Sequence, residues 1–205
     1  VSRRLPKSYG YDPLRDIQVI TPAKQGPLGT RELNRLLQGK LNPPERGKGE
    51  ATLMGRTLRE GDKVMQIRNN YDIIWQQPDG TAGTGIFNGD MGIIEMLDPG
   101  SKTIQVRFEE KLATYSFENQ DQLEHAYAVT VHKSQGSEFE AVVMPLERRH
   151  PKLHYRNLLY TAVTRARKLL IMTGQKETVY AMVQNNRRTL RYTNQKEMLQ
   201  EMCDE

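Results

Sequence analysis

The segment AYAVTVHKSQGSEFEAVVMPL, residues 126–146, constrains the fold more than any other part of the chain. It begins and ends with nearly uninterrupted apolar runs, which are typical of strands buried on both faces. Such strands belong to parallel sheets that are covered by helices. A dense polar stretch, HKSQGSEFE, separates the two runs. The sequence therefore predicts an α/β fold with a polar loop at the edge of its sheet.

Strand and helix patterns alternate in the flanking segments, as a parallel sheet requires. Apolar residues recur either at every second position or at helical spacing, and Pro and Gly cluster between these runs. The predicted elements are a strand at 16–21, a helix from Thr30 with Leu33, Leu36 and Leu37 on its apolar face, a linker at 41–50, strands at 126–131 and 140–146, a helix at 154–167, a strand at 168–173 and a helix from about 176.

Residues 61–119 have a different hydrophobic pattern, with short β-type runs and no helical periodicity. Turn signals separate these runs at Asn69-Asn70, Pro78-Asp79-Gly80, Asn88-Gly89-Asp90 and Asp98-Pro99-Gly100. Several short strands at close spacing indicate a small antiparallel barrel or sandwich. We therefore predict one α/β domain, residues 1–60 and 120–205, interrupted by a β module at 61–119.

Composition narrows the function only slightly. The net charge of +5 is compatible with a polyanionic partner, although many soluble proteins carry as much. Cys203 is the single cysteine, which excludes an internal disulfide framework and suits a reducing cytoplasm. No segment resembles a signal peptide or a membrane span. The chain starts without Met and soon enters a strand, as expected for a piece of a longer protein.

Several kinds of catalytic site are absent from the sequence. The nearest matches to a P-loop, Gly39-Lys40-Leu41 and Gly47-Lys48-Gly49, lack the following Ser or Thr and the earlier Gly. No apolar strand ends in a carboxylate pair suited to magnesium. The four histidines and one cysteine show no zinc spacing, and we predict no metal site. A complete ATPase is therefore not encoded in these residues.

The predicted helix at 154–167 carries one candidate phosphate contact. Its apolar face comprises Leu159, Ala162, Val163, Ala166 and Leu170, and its polar face Asn157, Thr161, Thr164, Arg165 and Lys168. Thr161 and Arg165 lie one turn apart, so a hydroxyl and a guanidinium would point at the same place. That combination suits phosphate oxygens, but an ordinary solvated helix face would look the same.

The polar loop offers a cluster of hydrogen-bond donors directly after a buried strand, where parallel sheets commonly bind ligands. The residues are Thr130, His132, Lys133, Ser134, Gln135, the glycine Gly136 and the carboxylate Glu138. The donors suit phosphate or sugar oxygens, Gly136 permits close approach of the backbone, and Glu138 suits a ribose hydroxyl. Taken singly, His132 or Lys133 is as well explained by a structural or solvated role. Together, the residues favour a site.

HKSQGSEF and YTAVTRAR resemble the fifth and sixth motifs of superfamily 1 helicases, and TPAKQGPLG resembles the fourth. HKSQG is similar to the version found in the RecD-like, 5′-to-3′ branch. The β run from Gly61 to Phe108 resembles the SH3-like insertion in the second motor domain of those enzymes. The resemblance implies a RecA-like parallel sheet without a P-loop, interrupted by an SH3-like antiparallel barrel.

The resemblance also implies roles for individual residues. Arg165 matches the arginine finger that reaches ATP held, with Mg²⁺, mainly by a separate N-terminal RecA-like domain. Glu138, Gly136 and Lys24 match positions near the nucleotide. The residues that match positions near single-stranded DNA are Thr130, His132, Lys133, Ser134 and Gln135. Gln135 departs from the Lys of the HAAKG-type motif, which leaves its role open.

The expected function is that of the C-terminal motor half of an ATP-dependent 5′-to-3′ DNA helicase. It would act on single-stranded DNA and duplex junctions in the bacterial cytoplasm, and would be inactive without its N-terminal half. The β module offers further candidates for DNA contact, although core packing explains its aromatics equally well: Arg68, Tyr71, Trp75, Arg107 and Lys111. The alternatives are a non-catalytic DNA-binding module and the helicase part of a conjugative relaxase.

Overall fold

The computed structural model describes residues 1–147 and 153–186. The α helices are α1 (Arg4–Tyr9), α2 (Thr30–Leu41), α3 (Arg156–Val163) and α4 (Lys176–Gln184). The strands are β1 (Ile17–Thr21), β2 (Glu50–Leu53), β3 (Arg56–Arg59), β4 (Lys63–Gln66), β5 (Asn70–Gln76), β6 (Ala82–Ile86), β7 (Met91–Asp98), β8 (Thr103–Phe108), β9 (Lys111–Ser116), β10 (Leu123–His125), β11 (Ala128–Thr130), β12 (Phe139–Pro145) and β13 (Ala166–Thr173).

The α/β domain is built on a parallel sheet in the order β11-β1-β12-β13. All three strand pairs are parallel, as the apolar runs predicted. One face packs against α3 and α4, where Leu158 and Met182 join Val142 in the largest apolar cluster. On the other face Leu5 of α1 contacts Ile17. Burial on both faces explains why β11 and most of β12 are apolar, whereas the edge strand β13 is partly exposed and carries Arg167 and Lys168.

Helix α2 does not bury the leucine face that its spacing predicted. Leu36 is 48% exposed, whereas Asn34 and Gln38 face inward. The backbone N–H of Ala128 donates to Asn34 Oδ1 at 2.7 Å, and Asn34 Nδ2 donates to the Ala128 carbonyl at 2.9 Å. Because β11 is the edge strand of the sheet, its outer backbone groups need partners, and the Asn34 amide supplies them.

The helix predicted at 154–167 is shorter than expected. Helix α3 ends at Val163, the chain turns at Thr164 and Arg165, and residues from Ala166 onward form β13. Leu158 is buried, whereas Val163, which was predicted on the apolar face, is 37% exposed. The early end is imposed by the sheet, since Ala166 must pair with Phe139 at the start of β12. The predicted extension of the last helix beyond residue 186 lies outside the described residues.

The β module is an antiparallel sheet in the order β10-β4-β7-β8-β9-β5-β6. Its strands run from Lys63 to His125, so the sheet extends past the boundary predicted at residue 119. Residues 50–59, predicted as linker and motor domain, form the β2–β3 hairpin. Leu58 of that hairpin lies in the apolar core of the module. The module therefore begins about ten residues before the change in hydrophobic pattern.

A buried carboxylate joins the module to the α/β domain. Asp62, which has no exposed surface, accepts hydrogen bonds from Gln38 Nε2 at 2.7 Å and from the Tyr127 hydroxyl at 2.8 Å. Asn42 Nδ2 donates to it at 2.7 Å, and His125 Nε2 lies 3.1 Å away. The partners come from α2 and from the chain that enters β11. They fix the module on the α/β domain through polar contacts.

Within residues 1–147 and 153–186, no helix combines the length and apolar character needed to cross a membrane.

Candidate functional site

The polar loop, residues 131–138, runs from one end of the parallel strands to the other. We call the side of the sheet at the carboxyl ends of the strands the carboxyl edge, and the side at their amino ends the amino edge. Thr130 at the end of β11 is level with Thr21, whereas Ala141 of β12 is level with Ile17. Counting back to Phe139, the loop descends about six residue steps, roughly 20 Å at ~3.3 Å per residue. Its beginning therefore lies at the carboxyl edge and its end at the amino edge. The sequence places the start of the loop directly after a buried strand, and the helicase resemblance assigns its start to DNA and Glu138 at its end to the nucleotide.

At the carboxyl edge, a groove of about 1180 Å³ opens between α2, the β2–β3 hairpin and the beginning of the polar loop. Thr130 is among its lining residues. Two carboxylates, Glu32 and Glu124, also line it. Its five cationic side chains belong to Lys24, Arg31, Arg35, Arg56 and Lys133. An excess of cations along an open groove suits a polyanionic chain.

Lys24 lies in this groove, and its charge acts on Glu124 there. Sequence reasoning had assigned it to the nucleotide together with Glu138. The structure separates the two, because Glu138 lies at the amino edge, next to the start of β12. A single sequence shows that Lys24 follows a strand but not which ligand meets that end of the sheet. We reassign it to the groove.

Inside the polar loop the predicted DNA-facing residues separate into two groups. His132 and Gln135 are exposed, and the Lys133 ammonium reaches Glu124 at 2.7 Å. Ser134, in contrast, is fully buried, and its hydroxyl donates to the Val131 carbonyl at 2.8 Å. Ser134 therefore shapes the turn and is not available to a ligand, which removes it from the predicted contact set.

Arg165 lies at the amino edge, in the turn before β13. Its guanidinium donates to the Ser137 carbonyl at 3.1 Å and to the Thr161 carbonyl at 3.2 Å. The Thr161 hydroxyl donates to the Asn157 carbonyl at 2.8 Å and so does not stand beside the guanidinium as a second phosphate donor. Arg165 is thus tied to the end of the polar loop, one residue before Glu138.

Glu138 is exposed at the same edge and pairs with Arg167 Nε at 3.0 Å. Gly136 has φ +87°, and a side chain there would meet no other atom within 4 Å. The glycine is therefore required by its backbone conformation, since that region is strained for other residues. Arg165, Glu138 and Gly136 lie together at the amino edge, where they place one half-buried guanidinium and one exposed carboxylate.

Two family models match the chain: the SH3 domain of ATP-dependent RecD-like DNA helicases at residues 33–108, and the UvrD-like helicase C-terminal domain at residues 125–173. The ATP-dependent RecD2 DNA helicase of Deinococcus radiodurans is 35% identical over 158 residues, which cover 77% of this chain and 20% of that protein. The chain belongs to the RecD-like helicases.

Other relatives agree with this assignment. The RecBCD enzyme subunit RecD of Buchnera aphidicola is 26% identical over 82% of this chain and 26% of that subunit. A crystal structure of Pif1 helicase from Bacteroides in complex with ADP-AlF3 and single-stranded DNA has a TM-score of 0.53 at 16% identity, covering 98% of this chain and 47% of that one. At this identity the likeness shows the fold alone. The RecD-like chain spans about a fifth to a quarter of the length of these curated relatives.

Most of the candidates on the SH3-like module of this RecD-like chain are engaged with other side chains of the chain. Lys111 lies over the Trp75 ring at 4.8 Å, and Trp75 packs against the module core. The other two cations form ion pairs, Arg68 with Asp121 and Arg107 with Glu95. Tyr71 differs, because it is 65% exposed and meets Phe87 edge to face at 5.7 Å. Tyr71 is the one predicted stacking residue that is open to a ligand.

Sequence reasoning missed the cations that α2 and the β2–β3 hairpin contribute to the groove. Arg31 and Arg35 lie on the same face of α2 because they are four residues apart. That spacing is visible in the sequence TRELNR, but the prediction for this helix considered only its leucine face. Arg56 donates to the Leu123 carbonyl at 2.8 Å. It has no comparable signal, because no secondary-structure element was predicted for residues 51–60.

Proposed function

We propose that this RecD-like chain is the C-terminal motor half of an ATP-dependent 5′-to-3′ DNA helicase. The observation that carries the proposal is the course of the polar loop. It connects a cationic groove at one edge of the sheet to Arg165 and Glu138 at the other. A loop in contact with both edges suits a motor that must link nucleotide turnover to movement along a strand.

At the amino edge, Arg165 acts as the arginine finger toward ATP held by an N-terminal RecA-like domain. Magnesium belongs with the nucleotide on that domain. When the two domains close, the guanidinium exchanges its carbonyl partners for phosphate oxygens, which are stronger acceptors because they are charged. Glu138 faces the ribose, and Gly136 lets the backbone of the loop approach the nucleotide closely. Opening after hydrolysis returns Arg165 to the Ser137 carbonyl.

At the carboxyl edge, the groove holds the backbone of single-stranded DNA. Thr130, Lys133 and Lys24 are positioned for phosphate contact, with His132 and Gln135 exposed at its side. The cations of α2 and the hairpin continue the same surface. The exposed Tyr71 of the SH3-like module offers a face for a base or for the end of a duplex at a junction. Successive closing and opening moves this groove along one strand.

The experiment compares Arg165→Ala with Arg167→Ala in the full-length helicase, measuring DNA-stimulated ATP hydrolysis and ATP binding. Arginine fingers contribute ~10³–10⁵ in rate, so Arg165→Ala should lose at least ~10³-fold in turnover and still bind ATP. Arg167 is the matched control, because it is an arginine two residues further along the chain, in β13, and its side chain pairs with Glu138. Unchanged turnover in the Arg165 variant, or equal losses in both, contradicts the assignment.

A further inference from the structure

We infer that Glu124 limits the affinity of the groove for single-stranded DNA by competing with phosphate for the ammonium of Lys133. The inference rests on the proposed function of the groove and adds to it a residue that weakens binding. Glu124 is neither part of the polar loop nor one of the motif residues at the amino edge. It enters the groove from the SH3-like module.

The two side chains approach one another from different parts of the molecule. Glu124 is the central residue of β10, which pairs with β4 of the module. Lys133 belongs to the polar loop, and its backbone N–H donates to the Thr130 hydroxyl at 3.4 Å. Their charged ends meet at 2.7 Å, and both line the groove. The ion pair therefore bridges the module and the α/β domain at the place proposed for a phosphate.

The surroundings keep Glu124 ionised. Burial alone would raise the pKa of its carboxyl, but the hydrogen bond and charge of Lys133 outweigh it, together with the charges of Lys24 and Arg56, and lower that pKa. A carboxylate held among three cations of the groove neutralises part of their field. A phosphate that enters must separate Lys133 from Glu124 and then lie beside a like charge.

The expected consequence is a groove that holds DNA loosely enough to release it at every step. In the free protein Lys133 is held by Glu124, and in the bound protein it turns to the phosphate. The gain from that new contact is reduced by the loss of the old one. Removing the carboxylate while keeping the size of the side chain should therefore tighten binding through Lys133. If the only role of the carboxylate were to hold the module in place, removing it would not tighten DNA binding.

The test uses the full-length protein and fluorescently labelled oligo(dT), with anisotropy titrations over a series of salt concentrations and no nucleotide. Glu124→Gln should lower Kd about fivefold, which is the upper range for a partly exposed ion pair. Lys133→Gln should raise Kd and flatten the plot of log Kd against log salt by about 0.7, the slope of one single-strand phosphate contact. Glu118→Gln, an exposed change of the same charge outside the groove, should match the unaltered protein.

The double variant E124Q/K133Q separates competition from general electrostatics. If Glu124 acts through Lys133, the double variant binds like Lys133→Gln alone. An equal gain from Glu124→Gln in both backgrounds overturns the inference, because the carboxylate then repels DNA without competing for Lys133. Weaker binding by Glu124→Gln, or no change beyond that of Glu118→Gln, also overturns it.

Failure of the proposed function would look different. If Lys133→Gln binds oligo(dT) as tightly as the unaltered protein at every salt concentration, the groove is not the path of the strand. Thermal unfolding of each variant confirms that it is folded. Glu124→Ala provides a second variant that also frees Lys133 and should give the same direction of change, so the result does not depend on one substitution.

Discussion

Lys63 should be replaceable by Met with a gain in stability at neutral pH. The side chain lies on β4, is 5% exposed, and places its ammonium 5.9 Å from the centre of the Phe139 ring. Among the described residues no carboxylate lies within ion-pair distance of it, although Asp12 and Asp16 attract it from further away. Burial outweighs that attraction and lowers the pKa of Lys63 from 10.5 to about 8.

The magnitude follows from this pKa. A fall from 10.5 to about 8 corresponds to about 3 kcal/mol, at ~1.36 kcal/mol per pH unit. Because the folded pKa of this base is below the unfolded one, the destabilisation is complete below pH 8 and disappears as pH rises toward 10.5. Met has a similar length and no charge, so Lys63→Met should stabilise the protein by about 2–3 kcal/mol at pH 7.

The assay is urea unfolding of the unaltered protein and Lys63→Met at pH 7 and pH 9.5. Between these values the contribution of Lys63 should raise the stability of the unaltered protein by about 2 kcal/mol, and the variant should lack that rise. Lys40→Met, a change at an exposed position of α2, is the control. At pH 9.5 the phenols of Tyr115 and Tyr127 stay protonated in the folded protein, because burial raises their pKa values. A variant less stable at pH 7, or one that keeps the full pH response, refutes the reasoning.

Two further substitutions test the packing of the module. Hydrogen bonds from His125, Asn42 and Tyr127 outweigh burial and lower the pKa of Asp62, so its contribution is present above pH 4 and is lost as pH falls through the lower folded value. Asp62→Asn should cost about 3 kcal/mol at pH 7 and remove that acid dependence, both measurable by urea unfolding from pH 3 to 7. Gly92→Ala should cost about 1–3 kcal/mol, because its Cβ would lie 2.6 Å from the Arg107 carbonyl oxygen; an unchanged thermal midpoint would contradict this.

The parallel sheet was predictable because burial on both faces leaves a direct mark on composition. Residues 126–131 and 140–146 are apolar at nearly every position, and only a covered parallel sheet needs that. Helix α2 was misread because periodicity reports apolar residues only. The need of the β11 edge for hydrogen-bond partners is met by Asn34, and that need arises from tertiary position. The sequence TRARKLLIMT after Val163 fits either a helical or a strand periodicity, so the end of α3 could not be located from it.

The residues of the candidate site could be named from the sequence, whereas their positions on the sheet could not be derived from it. The donors of the polar loop and Arg165 were identifiable from residue type and from motif resemblance. Their division between two edges depends on where β12 begins relative to β11, which is a matter of register across the intervening β1. Lys24 was assigned to the nucleotide with Glu138 because TPAKQGPLG resembles the fourth helicase motif, and that resemblance carries no information on register. The ion pair between Glu124 and Lys133 joins strand β10 of the module to the polar loop, a contact that sequence spacing alone does not predict.

The antiparallel pairing of β4 with β10 has a consequence for how such a protein can change over time. Val64 is the partner of His125, so the first and last strands of the module's large sheet lie next to one another. Neighbouring strands are about 4.8 Å apart, a gap that barely disturbs the surrounding fold. Hairpins between these two strands can therefore lengthen, shorten or be exchanged while the motor sheet keeps its geometry. The motor sheet therefore places little constraint on the sequence and length of the strands inserted between β4 and β10.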